Sequence, residues 1–121
     1  MIRVMFDSNA YDQILQHGDA GRIEAEMFSV ITTTAQEDEL RQIAEPVRRA
    51  ALLDIFHSLH AATAGVAAEW AASRDNLIGT AAAEHCDLLV TDDRDLRETL
   101  AVQAPRLRVL TYDDFRKEFL T

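Results

Sequence analysis

Four short apolar runs, each followed by a segment of helical character, constrain the fold of this chain most strongly. We predict strands at residues 2–6, 28–33, 88–91 and 107–110, which are rich in Val, Ile, Leu and other strand formers. Strands that alternate with helices form βαβ units, whose mainly parallel sheet is covered by helices on both faces. The pattern therefore indicates the α/β class.

The segments between these runs carry the signals of helices. Helices are predicted over about 8–16, 21–27, 46–60, 75–85, 94–102 and 112–120, with another that contains QEDELRQI at 36–43. Gly18 is expected to end the first helix, and Pro46 suits a first helical turn. The predicted N-caps are Ser8 or Asn9, then Thr34, then Thr111 or Asp113. Residues 61–74 have the weakest pattern.

The length of 121 residues and the lack of a repeat or linker predict one domain, residues 1–121. A single cysteine, Cys86, excludes an internal disulfide and suits a reducing cytoplasm. The longest stretch without a formal charge has 14 residues, 55–68. A membrane span needs about 20 apolar residues, so we expect a soluble cytoplasmic protein with no membrane partner.

The net charge of −9 argues against a broad basic surface for nucleic acid, because nucleic-acid-binding domains usually carry a positive footprint. The positions of the carboxylates are more informative than their number. Acidic residues follow three of the predicted strands: Asp7, then Glu37, Asp38 and Glu39, then Asp92, Asp93 and Asp95. Asp75 opens the helix that enters the third strand. Since parallel strands end at one edge of the sheet, these acids are expected to converge there.

Converging carboxylates repel one another unless a proton or a cation lies between them. Oxygen ligands without cysteine or an obvious histidine are the set that Mg²⁺ or Mn²⁺ prefers, and such an ion can activate water and polarise a phosphoryl oxygen. The residues therefore indicate metal-dependent phosphoryl chemistry. A simpler interpretation stays open, in which Asp7, Asp75 and Asp92 or Asp93 only cap helices.

Three segments resemble the PIN-domain nucleases. They are VMFDSNAYD near the start, DNLIGTAAAEHCDLLVTDDRDL from residue 75, and VLTYDDF from residue 109. The resemblance implies a three-layer α/β/α sandwich with a mainly parallel sheet of four or five strands. It also implies a metal-dependent ribonuclease that hydrolyses RNA phosphodiester bonds, often as the toxin of a toxin–antitoxin pair.

Carried over residue by residue, the resemblance places catalytic acids at Asp7, Glu39, Asp75 and Asp93. The metal ligands it implies are Asp7, Asp75 and Asp93, with Asp95 as a further candidate on the same side. Glu37 competes with Glu39, and because the two point about 200° apart on a helix, at most one faces the site. We favour Glu39. Asp92 is expected to be solvated or to act as a cap.

The remaining candidates would contact the substrate or support the acids. Ser8 and Asn9 would shape the first loop, Arg74 would contact a phosphate, and the Thr91 hydroxyl would fix the Asp7 or Asp93 carboxylate. Tyr11, Trp70 and Tyr112 are expected to pack in the core or its rim rather than to stack on bases. Expected partners are RNA, a cognate antitoxin and a second copy of the chain.

Two other functions remain open at this point. A PIN-fold protein can bind RNA or a protein partner without cleaving it. A phospho-acceptor receiver domain has a similar length and sheet, but it needs an acidic pair after the first strand and a lysine after the last. Here the first strand is followed by Asp7 alone, and Lys117 falls inside the predicted terminal helix.

Overall fold

The computed structural model describes residues 2–26, 28–63 and 82–120. In chain order their elements are β1 (Arg3–Phe6), α1 (Ser8–His17), α2 (Ala20–Ala25), β2 (Ser29–Thr32), α3 (Thr34–Arg41), α4 (Pro46–Leu59), β3 (His60–Thr63), β4 (Leu88–Val90), α5 (Arg94–Gln103), β5 (Arg108–Leu110) and α6 (Tyr112–Phe119). Residues 82–85 are also helical. Arg74 and Asp75, two of the predicted site residues, and Trp70 lie outside the described residues.

The five strands form one sheet in the order β3-β2-β1-β4-β5, and every neighbouring pair is parallel. β1 lies at the centre, where it pairs with β2 on one side and with β4 on the other. The prediction of an α/β fold with a parallel sheet of four or five strands is thereby confirmed. β1 and β4 are central and buried, which explains why they read as continuous apolar runs.

Successive residues of the central strands pack on opposite faces of the sheet, as the pleat requires. Val4 and Phe6 of β1 contribute to one apolar cluster, whereas Met5 between them contributes to another. The first cluster also contains residues from the helices of one layer: Tyr11, Ile14, Ile23, Leu40, Leu52, Phe56 and Phe115. The second contains Ala82, Cys86, Leu96 and Leu100. Helices therefore cover both faces, and the molecule is a three-layer α/β/α sandwich.

Local signals explain most of the helix ends. Gly18 ends α1 with a φ of 64°, a left-handed conformation that glycine adopts without steric cost. α4 begins at Pro46 and α6 is capped by Thr111, as expected. Two predicted caps are wrong by one residue or two. Asp7, which the simpler interpretation above named as a cap, caps α1 in place of Ser8 or Asn9, and Thr33 caps α3 in place of Thr34. Adjacent residues at both helix starts have side chains that can cap a helix, so the sequence alone does not determine which of them is the N-cap.

The prediction that the helix from Pro46 extends to His60 is also wrong. α4 ends at Leu59, and His60 begins β3, a strand that the sequence pattern did not predict. The segment HAAT has a single β-branched residue and little strand propensity of its own. Pairing with β2, which includes a register shift beside Val30, holds it in the sheet instead. Among the described helices, none has the length and apolar character needed to cross a membrane.

Candidate functional site

The candidate site lies where the connections of the sheet diverge. After β1 the chain first adds β2 and β3 on one side of that strand, and it later adds β4 and β5 on the other side. In open α/β sheets ligands bind outside the carboxyl ends of the strands at such a point. Asp7 leaves β1 here and Thr91 leaves β4. The backbone N–H of Asp7 donates to the Val90 carbonyl over 2.9 Å, which holds the two strand ends together.

The Asp7 carboxylate is the centre of this site. The residue is only 6% exposed, and its carboxylate accepts hydrogen bonds from Ser8, Thr91 and Asn9. Oδ1 accepts from the Ser8 backbone N–H at 2.8 Å, while Oδ2 accepts from the Thr91 hydroxyl at 2.7 Å and from the Asn9 amide at 3.4 Å. A buried carboxylate requires such donors because it has lost most of its water. Ser8, Asn9 and Thr91, three residues predicted for the site, therefore all contact Asp7.

Glu39 joins the same network through Ser8. The Ser8 hydroxyl donates to Glu39 Oε2 at 3.0 Å, while the Ser8 backbone N–H contacts Asp7. Ser8 thus connects the carboxylates that follow β1 and β2.

Glu37 is engaged elsewhere. It forms an ion pair with Arg41 and lies 3.4 Å from His57. Hydrogen bonds from the side chains of Arg41 and then His57 lower the pKa of Glu37. Of the two competing acids, Glu39 is therefore the one that contacts Ser8, the residue after Asp7.

Thr91 connects Asp7 to the loop that follows β4. Its hydroxyl donates to Asp7 and accepts the backbone N–H of Asp93 at 3.1 Å. The Asp93 side chain caps α5, since its Oδ1 accepts the Leu96 N–H at 3.1 Å. Asp93 therefore belongs to the same strand-end cluster, but one of its oxygens stabilises a helix. Asp95 is exposed in the first turn of α5.

Asp92 has a different set of contacts. Its Oδ2 accepts from the Gln13 amide at 2.9 Å and its Oδ1 accepts from the Tyr112 N–H at 3.0 Å. It is exposed, as expected, but it also connects the loop after β4 to α1 and to the first turn of α6. The prediction that it is solvated or a cap describes only part of this role.

A metal site was predicted from this set of acids. Within residues 2–26, 28–63 and 82–120, no three His, Cys, Asp or Glu side chains form a group that could hold a metal ion. Asp75, the fourth acid of the predicted set, is outside those residues. The carboxylate donors that are described, on Asp7, Glu39 and Asp93, are the oxygen ligands that suit Mg²⁺ or Mn²⁺.

Gln36 was not predicted to belong to the site, although it contacts the site's backbone. It is fully buried, and its side-chain amide donates to the carbonyl of Phe6, the residue before Asp7. The signal that identifies it is the capping box TTAQ, in which Thr33 caps α3 and the side-chain oxygen of Gln36 accepts the Thr33 N–H. The sequence pattern therefore shows the capping role but not the contact with Phe6.

The described aromatic and basic residues offer little to a substrate. Tyr11 and Tyr112 are buried in the core, which agrees with the packing role expected for them. Most described basic side chains form an ion pair or donate to a backbone carbonyl; for example, Arg48 pairs with Asp12 and Arg94 with Glu98. Any contact with a polyanion must therefore rearrange these pairs or use a local cationic group.

No protein-family model matches this chain, and no curated protein matches it. The chemistry of the site must therefore be inferred from its own residues. What they provide is a nearly buried carboxylate, that of Asp7, at the switch point of a parallel sheet. Ser8 connects it to the carboxylate of Glu39, and the Thr91 hydroxyl connects it to the backbone of Asp93.

Proposed function

We propose that this chain is a metal-dependent ribonuclease with a PIN-like site, which hydrolyses RNA phosphodiester bonds. One observation carries the proposal: Asp7 is held by Thr91 and linked through Ser8 to Glu39 at the switch point of the sheet. A carboxylate that served only as a helix cap would not need the contact with Thr91 at the end of β4. The order of the motifs along the chain adds support.

The residues that would hold Mg²⁺ or Mn²⁺ are Asp7 and Asp93, with Glu39 and Asp75 acting through water or at a second ion, and Asp95 as a further ligand. When bound, such an ion polarises a phosphoryl oxygen and lowers the pKa of a bound water. The chain's own residues prepare the carboxylates for this task. Thr91 fixes one oxygen of Asp7, and Ser8 orients Glu39 toward the same region.

The proposed biological setting follows from the resemblance to PIN-domain toxins. A cytoplasmic toxin would require a cognate antitoxin, and a net charge of −9 suits a basic segment of such a partner. Arg74 directly precedes Asp75 in the sequence, and we assign it to the substrate phosphate. We also propose that the chain forms a homodimer.

A second function, RNA or protein binding without cleavage, is favoured by one observation. Asp93 Oδ1 is engaged in capping α5, which leaves this residue less available to a metal than an uncommitted carboxylate. A receiver domain is less well supported, because Lys117 lies within α6 and pairs with Asp113 one turn away.

Cleavage of single-stranded RNA by the purified chain, with Mn²⁺ or Mg²⁺ and with EDTA, tests the proposal. We expect metal-dependent cleavage that Asp7→Asn and Asp93→Asn reduce by about 100-fold or more. Asp38→Asn is the matched control, since Asp38 is an exposed acid on α3. Cleavage that persists in EDTA, or full activity of Asp7→Asn, would contradict the proposal. Metal-independent RNA binding by an inactive wild type would favour the second function.

A further inference from the structure

The peptide group between Phe6 and Asp7 is held from both sides. On one side the Asp7 N–H donates to the Val90 carbonyl of β4 at 2.9 Å. In a trans peptide the carbonyl oxygen points the opposite way, so the Phe6 oxygen faces the β2 side of β1. The group that donates to it there is the side-chain amide of Gln36.

This contact replaces a backbone partner. The register of β1 with β2 pairs Arg3 with Ser29 and Val4 with Val30, before the chain leaves β2 for α3. Gln36 then supplies, from its side chain, the kind of donor that the next strand residue would supply in a longer ladder. It is fully buried, and its amide oxygen is used as well, since it accepts the Thr33 N–H at 3.0 Å.

α3 therefore contacts the end of β1 at two points. Gln36 and Glu39 are three residues apart and lie on one side of the helix. The first contacts the carbonyl before Asp7, and the second accepts from the hydroxyl of Ser8, the residue after Asp7. Asp7 lies between these two contacts. A shift of α3 relative to β1 would move Glu39 away from Asp7.

We propose that Gln36 is a positioning residue of the candidate active site, whose buried amide fixes the Phe6–Asp7 peptide and so sets the placement of Asp7 relative to Glu39. This inference rests on the proposed nuclease function. Gln36 has no role in the chemistry itself, because both ends of its amide are bound to backbone groups.

Two variants and one control test this role in the full chain. Gln36→Met keeps the length of the side chain but removes the amide. Gln36→Glu keeps an acceptor for the Thr33 N–H and can donate to the Phe6 carbonyl only when its carboxyl group is protonated. Gln16→Met, on the exposed side of α1, is the matched control. The readouts are amide hydrogen exchange at residues 5–8, followed by NMR, and kcat and KM for RNA cleavage in Mn²⁺.

For Gln36→Met we expect the Asp7 and Ser8 amides to exchange about ten times faster, while the β5 amides do not change. Loss of a residue that orients a metal ligand typically costs about 10- to 100-fold in activity, so kcat should fall by that factor with little change in KM. Gln16→Met should match the wild type in both readouts.

Gln36→Glu separates positioning from simple packing. Its kcat relative to the wild type at the same pH should rise as the pH falls from 8 to 5.5, because protonation restores a donor to the Phe6 carbonyl. A constant ratio, or unchanged exchange and kcat in Gln36→Met, would overturn the role of Gln36 while the wild type remains active. If the wild type itself fails to cleave RNA in Mn²⁺ or Mg²⁺, the proposed function is overturned instead.

Discussion

The Thr91 hydroxyl donates a hydrogen bond of 2.7 Å to Asp7 Oδ2, joining two buried residues that lie 84 positions apart in the chain. The same hydroxyl accepts the N–H of Asp93. The Thr91 side chain thus contacts the residues that follow both β1 and β4. Its loss should lower the stability of the protein as well as its activity.

Thr91→Val tests the stability part of this statement. The change keeps the shape of the side chain but removes the hydrogen bond from Thr91 to the buried Asp7 carboxylate, so we expect the free energy of unfolding to fall by about 1.5–3 kcal/mol. Urea denaturation measures it. Thr99→Val, at an exposed position on α5, should change stability by less than about 0.5 kcal/mol. Equal effects of the two variants would contradict the prediction.

Glu37 and Glu39 form a natural pair of variants on α3. Glu39→Gln should reduce RNA cleavage by about 100-fold, because Glu39 accepts from Ser8 beside Asp7. Glu37→Gln should leave the rate within about twofold, since Glu37 pairs with Arg41 and His57 outside the site. Initial rates in Mn²⁺ distinguish the two. A larger loss in Glu37→Gln would show that the wrong acid has been assigned.

The two tyrosines of the chain differ in what their hydroxyl groups contact. The Tyr112 hydroxyl donates at 2.7 Å to Asp19, a buried carboxylate that also pairs with Arg116. Tyr112→Phe should therefore lower the free energy of unfolding by about 1.5–3 kcal/mol. Within the described residues the buried Tyr11 hydroxyl has no hydrogen-bond partner, so Tyr11→Phe should be neutral or stabilising. Chemical denaturation of both variants measures the two effects. A Tyr11→Phe variant that is less stable than Tyr112→Phe would contradict the prediction.

Alkaline pH should destabilise the protein through three buried groups. Burial raises the pKa of Cys86 to about 12 and that of both tyrosines far above 10. The unfolded chain releases these protons from about pH 9 for Cys86 and pH 10 for the tyrosines, while the folded chain retains them. The unfolded state then binds fewer protons, so stability falls as the pH rises above 9.

Urea denaturation between pH 8 and pH 11 measures this fall. A Tyr11→Phe, Cys86→Ala variant should show a smaller decrease than the wild type, because two of the three groups whose pKa is raised have been removed. Since the chain has only two tyrosines, adding Tyr112→Phe leaves it with none. An identical pH dependence in the wild type and the variants would show that other groups control alkaline unfolding.

Metal binding should also be visible without RNA. If Asp7 and its neighbours bind Mn²⁺ in the folded chain only, an excess of about 100 times the dissociation constant adds about 2.7 kcal/mol to stability, and Tm rises. EDTA should reverse the rise, and Asp7→Asn should abolish it. Differential scanning calorimetry with Mn²⁺ gives the measurement. An equal rise in Asp7→Asn would place the ion elsewhere.

Much of the fold could be predicted because its central strands have a clear sequence signal. β1, β2 and β4 are apolar runs of limited length, and the segments between them have caps such as Thr111 and stop signals such as Gly18. β3 could not be predicted in the same way, because an alanine-rich edge strand obtains its stability from pairing with β2. Strand propensity reflects that environment more than the residues themselves.

The site was partly predictable for a related reason. Asp7 and Thr91 follow strands whose ends had to meet, so their proximity follows from topology. The choice of Glu39 over Glu37 depends on how α3 is rotated, which the contacts with Ser8 and with Arg41 reveal. The role of Gln36 depends on a single buried hydrogen bond to Phe6, and no spacing in the sequence predicts that contact.

The central position of β1 also affects how the molecule is made. The strand at the middle of the sheet is formed near the start of the chain, yet one of its two neighbours, β4, is not synthesised until residue 88. Contacts so distant along the chain slow folding, because a long loop must close before they form. A nascent chain on the ribosome therefore holds Asp7 without Thr91 while the residues between them are made, and the contact between the two can form only after β4 has been synthesised.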